Sequence, residues 1–389
     1  MPERSEECMP QLHRGDAGPA VSEVRSILVK LGLLTESHNG SHEVFDAACE
    51  HAVRELQQRK GLITDGVVGP ATYRAMLDAT YTLGARPLAY TVSAPMSGDD
   101  VLALQERLLE LGYDAGRPDG VFEGQTEHAL RDFQRDMKLT VDGICGAVTV
   151  RTLRQLAPKV RGGSPVLLRE QERMRTAGPR LRGKRIIIDP GHGGPDRGVV
   201  AEDVCEADIV FDLARRLEGR MQATGMDALL TRGPEHCPTE PERARFANET
   251  GADLFLSLHV DGHRSPHARG VACFHFGAGN GRTGSTIGEA LAGFIQREVT
   301  ARTGLLDCRS HGRGWDSLRL TRCPAVRVEA GYLTNASDRA NLRDPAFLDR
   351  IAEGMLIAVK RLYLLGEGDQ PTGTFTFADI LRHELAKAE

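Results

Sequence analysis

Four residues in the second half of the chain have the types and the setting for metal-assisted hydrolysis. His192 stands in "IIIDPGHGGPDRG", where a run of branched apolar residues stops at Asp189, Pro190 and Gly191. His259 closes a second apolar run, "FLSLHVDG", and Glu206 opens "CEADIVFDLARRL", 14 residues after His192. Two histidines at the ends of buried strands project into one crevice. A glutamate at the start of the intervening helix adds one carboxylate oxygen to two neutral imidazole nitrogens. That set suits one Zn2+ ion with a fourth position left for water, the arrangement of catalytic rather than structural zinc. The glycines around His192 let backbone and substrate approach the metal closely. Hydrolysis also needs a proton shuttle. Glu329 in "AVRVEAGYLTN" ends another apolar strand, where a carboxylate is otherwise costly to bury, and is assigned as general base and acid.

Alternatives exist for several of these roles. Glu202 competes with Glu206 as third ligand, but the amphipathic helix starts directly after Glu206. His263 lies four after His259, a zinc-pair spacing on a helix, yet Asp261-Gly262 between them argues for a loop and leaves His263 as a pocket residue at best. Asp189 and Asp196 either back the ligand histidines with hydrogen bonds or are simply turn residues. His311 in "RSHGRGW" is placed at the cleft edge, and His267 and His275 have no assignable role.

The elements that must position these residues alternate. "RIIIDP", "DALLTR", "DLFLSLHV" and "PAVRVEAGYLTN" read as strands, the continuous apolar ones covered on both faces. "ADIVFDLARRLEGRMQATG", "PERARFANETGA", "GEALAGFIQREVTARTG" and "PAFLDRIAEGMLIAVKRLYLLG" read as helices. Such alternation argues for an α/β domain over 183–366, with helices on both faces of the sheet. Residues 158–182, rich in Arg, Lys, Gly and Pro, read as a linker.

The first 157 residues carry an internal repeat. "FDAACEHAVRELQQRKGLITDGVVGPATYRAM" (45–76) and "FEGQTEHALRDFQRDMKLTVDGICGAVTVRTL" (122–153) are identical at 12 of 32 positions at an offset of 77. "VSEVRSILVKLGLL" and "VLALQERLLELGYD" flank them. Apolar spacing of three and four residues, a Leu-Gly stop and an Asp-Gly turn make each copy, 13–80 and 93–157, a three-helix unit. Glu50-His51 and Glu127-His128 repeat on a helix and read as structural.

The second copy, with "LQERLLELGY", "DGVFEGQTEHALRDFQ" and "VDGICGAVTVRTL", resembles the peptidoglycan-binding domain 1 family; the first is degenerate where the family has its first Asp-Gly turn. The motifs "IIIDPGHGGPDRG", "ERARFANETGADLFLSLHVDG" and "PAVRVEAGYLTN", with a glutamate after "VVAEDVC", occur in the order of the amidase 3 family, the zinc-dependent N-acetylmuramoyl-L-alanine amidases, over roughly residues 184–364. The resemblance implies a mixed sheet flanked by helices with the site at one sheet edge. It carries the zinc ligands onto His192, Glu206 and His259 and the catalytic glutamate onto Glu329. It implies cleavage of the amide between N-acetylmuramic acid and the L-alanine of the stem peptide.

Composition bounds the rest. The chain has 389 residues, 40% hydrophobic and 26% charged, with a formal net charge of −5. Its arginines are scattered, which leaves no nucleic-acid footprint, and no apolar stretch reaches the roughly 18–20 residues of a transmembrane segment. The N-terminus lacks an apolar export core, and the eight cysteines include no C-x-x-C pair. Both features point to the cytoplasm as the expected location, with the cell wall or non-classical secretion as the alternative address.

After Gly366, residues 367–389 read as a flexible tail with a short helix. Thr374 and Thr376 alternate there with Phe375 and Phe377 and are read as phosphorylation sites. Two wall-binding repeats, an amidase-like domain and this tail, without an export signal, resemble the actinobacterial CwlM-type group. That resemblance implies a cytoplasmic regulator of peptidoglycan precursor synthesis controlled by a serine/threonine kinase. Its implied partners are the UDP-N-acetylglucosamine enolpyruvyl transferase, a forkhead-associated domain protein, and a lipid-linked precursor or its flippase. Two expectations therefore stand: a zinc amidase acting on peptidoglycan, and a binding protein that uses the same fold to sense a muramyl-peptide precursor.

Overall fold

The computed structural model describes residues 11–35, 44–156, 170, 172, 180–277 and 284–364. The tail with Thr374 and Thr376, and nearly all of the 158–182 linker, lie outside the described residues. The chain divides into two compact units, residues 1–168 and 169–389.

In the first unit each repeat is a three-helix cluster. Helices α1 (Pro19–Lys30), α2 (Ala47–Lys60) and α3 (Pro70–Ala79) bury Val24, Leu28, Phe45, Val53, Leu56 and Met76. Helices α4 (Asp99–Glu110), α5 (Gly124–Asp136) and α6 (Ala147–Gln155) bury Leu104, Leu108, Phe122, Leu130, Phe133 and Leu153. Buried glutamines fasten the Asp-Gly turns. The Gln105 amide donates to Asp119 Oδ1 (3.0 Å), Val121 O (3.0 Å) and Thr126 Oγ1 (3.1 Å), and accepts from the Gly120 N–H (2.8 Å). Gln134 holds Asp142-Gly143 and Gln57 holds Asp65-Gly66 in the same way. With both its donor and its acceptor engaged, the buried amide avoids the cost of an unmet polar group. The degenerate turn of the first repeat is held differently. Arg25 stands where the flank alignment puts Gln105, donates to Val44 O (3.1 Å) and pairs with Asp46 (3.0 Å). Glu50 and Glu127 pair with Arg54 and Arg131 one turn on, a structural role.

The second unit is built on a six-stranded mixed sheet. Its elements run β1 (Arg185–Pro190), β2 (Val200–Ala201), β3 (Val204–Cys205), α7 (Glu206–Gln222), β4 (Asp227–Leu230), α8 (Glu240–Glu249), β5 (Leu254–Asp261), β6 (Val271–Phe276), α9 (Thr286–Thr303), β7 (Asp307–Arg313), α10 (Asp316–Arg319), β8 (Ala325–Tyr332), α11 (Ala336–Leu342) and α12 (Pro345–Leu364). The order is β4-β1-β5-β8-β6-β7, parallel except for the β6–β8 pair, and β2 and β3 form a separate two-stranded hairpin. The apolar runs are continuous because both faces are covered. Ile186, Ile188, Leu256, Leu258, Val326 and Val328 pack on one face against α7, α9 and α12, the larger core. Ile187, Phe255, Phe276 and Ala325 face a thinner cover from α8 and α10, through Ala247 and Leu318.

Sequence patterning does not reveal β6, β7, the hairpin, α10 or α11. β7 is "DCRSHGR"; an edge strand with one neighbour and little burial needs no apolar alternation, so its pattern reads as loop. The seven described cysteines are free, and Cys237 is exposed. No helix among the described residues is long and apolar enough to cross a membrane.

Candidate active site

The site forms where three adjacent parallel strands end. β1 pairs with β5 and β5 with β8, so Asp189 lies beside Ser257 and His259 beside Glu329. Side chains alternate across a strand, which turns Asp189, Ser257, His259, Arg327 and Glu329 toward the thinner cover. The sheet edge at which the site was expected is therefore a row of carboxyl ends of inner strands, where open α/β sheets leave a crevice, and not a lateral strand.

His192, Glu206 and His259 converge there, with one donor atom from each within 4.8 Å of the others. Glu206, the first residue of α7, is 2% exposed. Its Oε1 lies 2.8 Å from His259 Nδ1 and accepts from the Val260 N–H (3.1 Å). Its Oε2 lies 3.2 Å from His192 Nε2 and accepts from the Val199 N–H (3.0 Å). Burial pushes the Glu206 carboxyl up, but the two imidazoles outweigh it and hold the group well below the usual carboxylate range. The other ring nitrogen of His192, Nδ1, lies 2.7 Å from Asp196 Oδ2, so Asp196 is the partner that orients the ring. Glu202 is elsewhere. It occupies the exposed hairpin turn at φ 56° and pairs with Arg339 (2.5 Å) and Arg343 (3.4 Å).

Glycines make room for this convergence. A Cβ on Gly191 would stand 2.1 Å from His259 Cε1, and one on Gly198 (φ +62°) 2.5 Å from Glu206 Oε2. His192 itself has φ 56°, a conformation that non-glycine residues adopt only when held. Two buried arginines hold it. Arg243 of α8 donates to Asp189 Oδ1 (2.7 Å), Pro190 O (2.8 Å) and His192 O (2.9 Å). Arg232 donates to Pro190 O (2.7 Å), Gly191 O (2.8 Å) and Ala207 O (3.2 Å). Asp189, 1% exposed, also accepts from Thr231 (2.5 Å) and Ser257 (2.7 Å). It is the buried counter-charge of the clamp.

Burial pushes the Asp189 carboxyl up, but Arg243 and the two hydroxyls outweigh it and lower it. A depressed carboxyl stabilises the fold above its unfolded pKa and loses that contribution as pH falls through its folded one. Arg243→Met should therefore destabilise by about 3–5 kcal/mol at neutral pH, the cost of leaving a buried charge unpaired. In thermal melts the gap from wild type should narrow as pH falls through the carboxylate range; a gap under about 1 kcal/mol at pH 7 would show that the clamp is not needed.

Glu329, 7% exposed on β8, accepts through Oε1 from the Arg327 Nε–H (2.8 Å). Arg327 stacks on Trp315 at 4.6 Å and reaches Glu240 at 3.4 Å. Asp261 lies on the same side, its carboxyl raised by burial and by the Glu329 charge. Arg232, Arg243, Arg327 and Asp261 are functional neighbours that motif reading misses, although the alternation "RVE" already puts Arg327 on the face of Glu329. His263 is exposed, its N–H bonded to Thr334 Oγ1 and its Nδ1 to the Ser265 N–H (3.0 Å each). His311 lies on β7 against Phe274, with Nε2 2.7 Å from Cys308 O. Neither joins the donor cluster, nor do His267 and His275.

A mixed α/β sheet with two histidines at adjacent strand ends, a carboxylate at a helix start between them and a further glutamate beside them is an arrangement that can hold a hydrolytic metal. Comparison with known proteins narrows that class. Residues 186–361 match the N-acetylmuramoyl-L-alanine amidase family, and 17–76 and 97–153 match a peptidoglycan binding domain. The chain is 52% identical over 397 aligned positions to a Mycobacterium tuberculosis protein named N-acetylmuramoyl-L-alanine amidase CwlM, covering 99% of this chain and 98% of that one. It is 29% identical to N-acetylmuramoyl-L-alanine amidase LytC of Bacillus subtilis over 44% of this chain and 34% of LytC. Among solved structures, the catalytic domain of CwlV from Bacillus (Paenibacillus) polymyxa aligns at 26% identity with a TM-score of 0.43, over 46% of this chain and 97% of that domain. The chain belongs to the N-acetylmuramoyl-L-alanine amidase family.

Proposed function

We propose that the chain hydrolyses the amide between N-acetylmuramic acid and the L-alanine of the peptidoglycan stem, with one zinc ion held by His192, Glu206 and His259. The observation that carries this reading is the donor cluster itself, two imidazoles and a carboxylate within 4.8 Å with Asp196 behind His192. Ligating histidines commonly have a carboxylate behind them in this way. Zinc, when bound, supplies polarisation of the scissile carbonyl and a water acidified to a pKa of about 7.

The rest is done by the chain. Glu329 takes a proton from the attacking water and returns it to the leaving nitrogen. Arg327 engages Oε1 of Glu329, so Oε2 is the oxygen left for that exchange. The Arg232 and Arg243 clamp keeps the His192 backbone in its held conformation, and the peptidoglycan-binding repeats bring glycan to the site.

The test is metal analysis of the purified protein with a muropeptide cleavage assay, before and after chelation. About one zinc per chain, cleavage lost on chelation and cleavage restored by added zinc are expected. Zinc without cleavage of any muramoyl peptide would replace hydrolysis with recognition.

A further inference from the structure

The segment 262–270, between β5 and β6, is a loop held in place at several points. The His263 N–H donates to Thr334 Oγ1 (3.0 Å), Asn335 Nδ2 to Pro266 O (2.7 Å) and the Gly270 N–H to Asp338 Oδ2 (2.8 Å). All three partners follow directly on β8, the strand of Glu329. The loop therefore borders the site on its β8 side, and Ala272 just beyond it pairs with Glu329 across the sheet.

Two of the side chains this anchored loop exposes are arginines. Arg264 and Arg269 are exposed. No carboxylate of the described residues pairs with either. Arg309 is exposed on β7, next to Cys308, whose thiol donates to Arg269 O (3.3 Å). The acids at this end of the sheet are otherwise engaged. Glu202 and Asp203 pair with Arg339 and Arg343, Asp338 accepts from the Gly270 and Tyr332 N–H groups, and Asp307 accepts from Gln296 and the Arg309 N–H. Asp307 and Asp338 keep their charge, since their donors are neutral, but Asp338 is buried. The exposed charged side chains of this rim outside ion pairs are therefore Arg264, Arg269 and Arg309 against Asp307 among the described residues.

The chemistry says which part of the substrate meets it. Glu329 protonates the leaving nitrogen, which belongs to the first residue of the stem, so the stem departs from the scissile bond on the Glu329 side. That is the side where the loop is anchored. We propose that the 262–270 loop, through Arg264 and Arg269 with Arg309 beside them, is a subsite for the free carboxylates of the peptide stem. The direction assigned to the stem rests on the amidase reading. An anchored loop loses little conformational freedom on binding, so its exposed ion pairs translate into affinity more fully than those of a floppy one.

The test is calorimetric. Zinc-loaded full chain carrying Glu329→Gln, which cannot consume the ligand, is titrated with a muramoyl peptide whose stem carboxylates are free and with the same peptide amidated at each of them. The comparison is then repeated with Arg264→Ser/Arg269→Ser added. Two exposed pairs correspond to about a 2- to 30-fold change in Kd. The double substitution should weaken the acidic stem by that factor and the amidated stem less than about twofold, with the difference shrinking at high salt. Equal loss for both stems, no loss for either, or no binding of either stem overturns the subsite. Both substituted positions are exposed, so the fold is expected to survive, and a melting curve confirms it. Cleavage by the otherwise unsubstituted protein is scored separately. Cleavage without stem discrimination rejects the loop alone, whereas discrimination without cleavage rejects hydrolysis and keeps the loop as a stem-binding element.

Discussion

Glu329→Gln is expected to lower muropeptide turnover by about 10²- to 10⁴-fold, the usual contribution of a positioned general base, while bound zinc stays near one per chain. The amide keeps the volume and one oxygen of the carboxylate but cannot accept the proton of the attacking water. It lies on β8, whereas the donor cluster is drawn from the turn after β1, from α7 and from β5, so metal binding should not feel the change. Arg327 loses its closest anion but keeps Glu240 at 3.4 Å and the Trp315 face, so the strand is still supported. Turnover and metal content measured on one preparation decide it. Turnover within tenfold of wild type would move the proton-transfer role to another group, and lost zinc would make Glu329 part of the metal site.

His259→Ala should act the other way round, on metal first. It removes a ligand nitrogen and leaves Glu206 buried with one imidazole in place of two. Its zinc affinity should fall by more than about 100-fold, the upper end of what a partner behind a ligand is worth, and activity should follow. Asp196→Asn, which disturbs only the far nitrogen of His192, should cost about 10- to 100-fold in affinity, and His263→Ala close to nothing. Equilibrium dialysis against a zinc buffer ranks the three. A His263 effect as large as the His259 one would mean that the cluster has been drawn around the wrong histidine.

Much of this site can be read from residue type and order. Ile186–Ile188 are apolar on consecutive residues and the run before His259 is apolar but for Ser257, so each reads as a strand buried on both faces, with the polar residue that follows near the strand terminus. A glutamate that opens an amphipathic helix after the first histidine completes the candidate donor set, and another that closes a third apolar run is the candidate proton shuttle. The repeat arithmetic likewise yields three helices per copy, and the Asp-Gly pairs mark turns that the structure fastens with Gln57, Gln105 and Gln134.

Other features are silent in the pattern because their meaning is non-local. Arg243 in "PERARFANE" reads as one more charge on a helix surface; it is buried because Asp189, 54 residues earlier, supplies its counter-charge. β7 reads as a loop because edge pairing with β6 asks nothing of its side chains.

The sequence alone determined the residue types at the candidate site, two imidazoles and two carboxylates proposed as ligand and shuttle, and the α/β and three-helix character of the units that carry them. These follow from residue type and local periodicity. Only the tertiary structure decided that Glu206 and not Glu202 meets the histidines, that two buried arginines hold His192 at positive φ, and that arginines with no carboxylate partner among the described residues rim the Glu329 side. The reason is strand order. Parallel pairing places β1, β5 and β8 side by side across more than a hundred residues of chain, and which charges then meet or are left over is set by that juxtaposition and not by any local stretch.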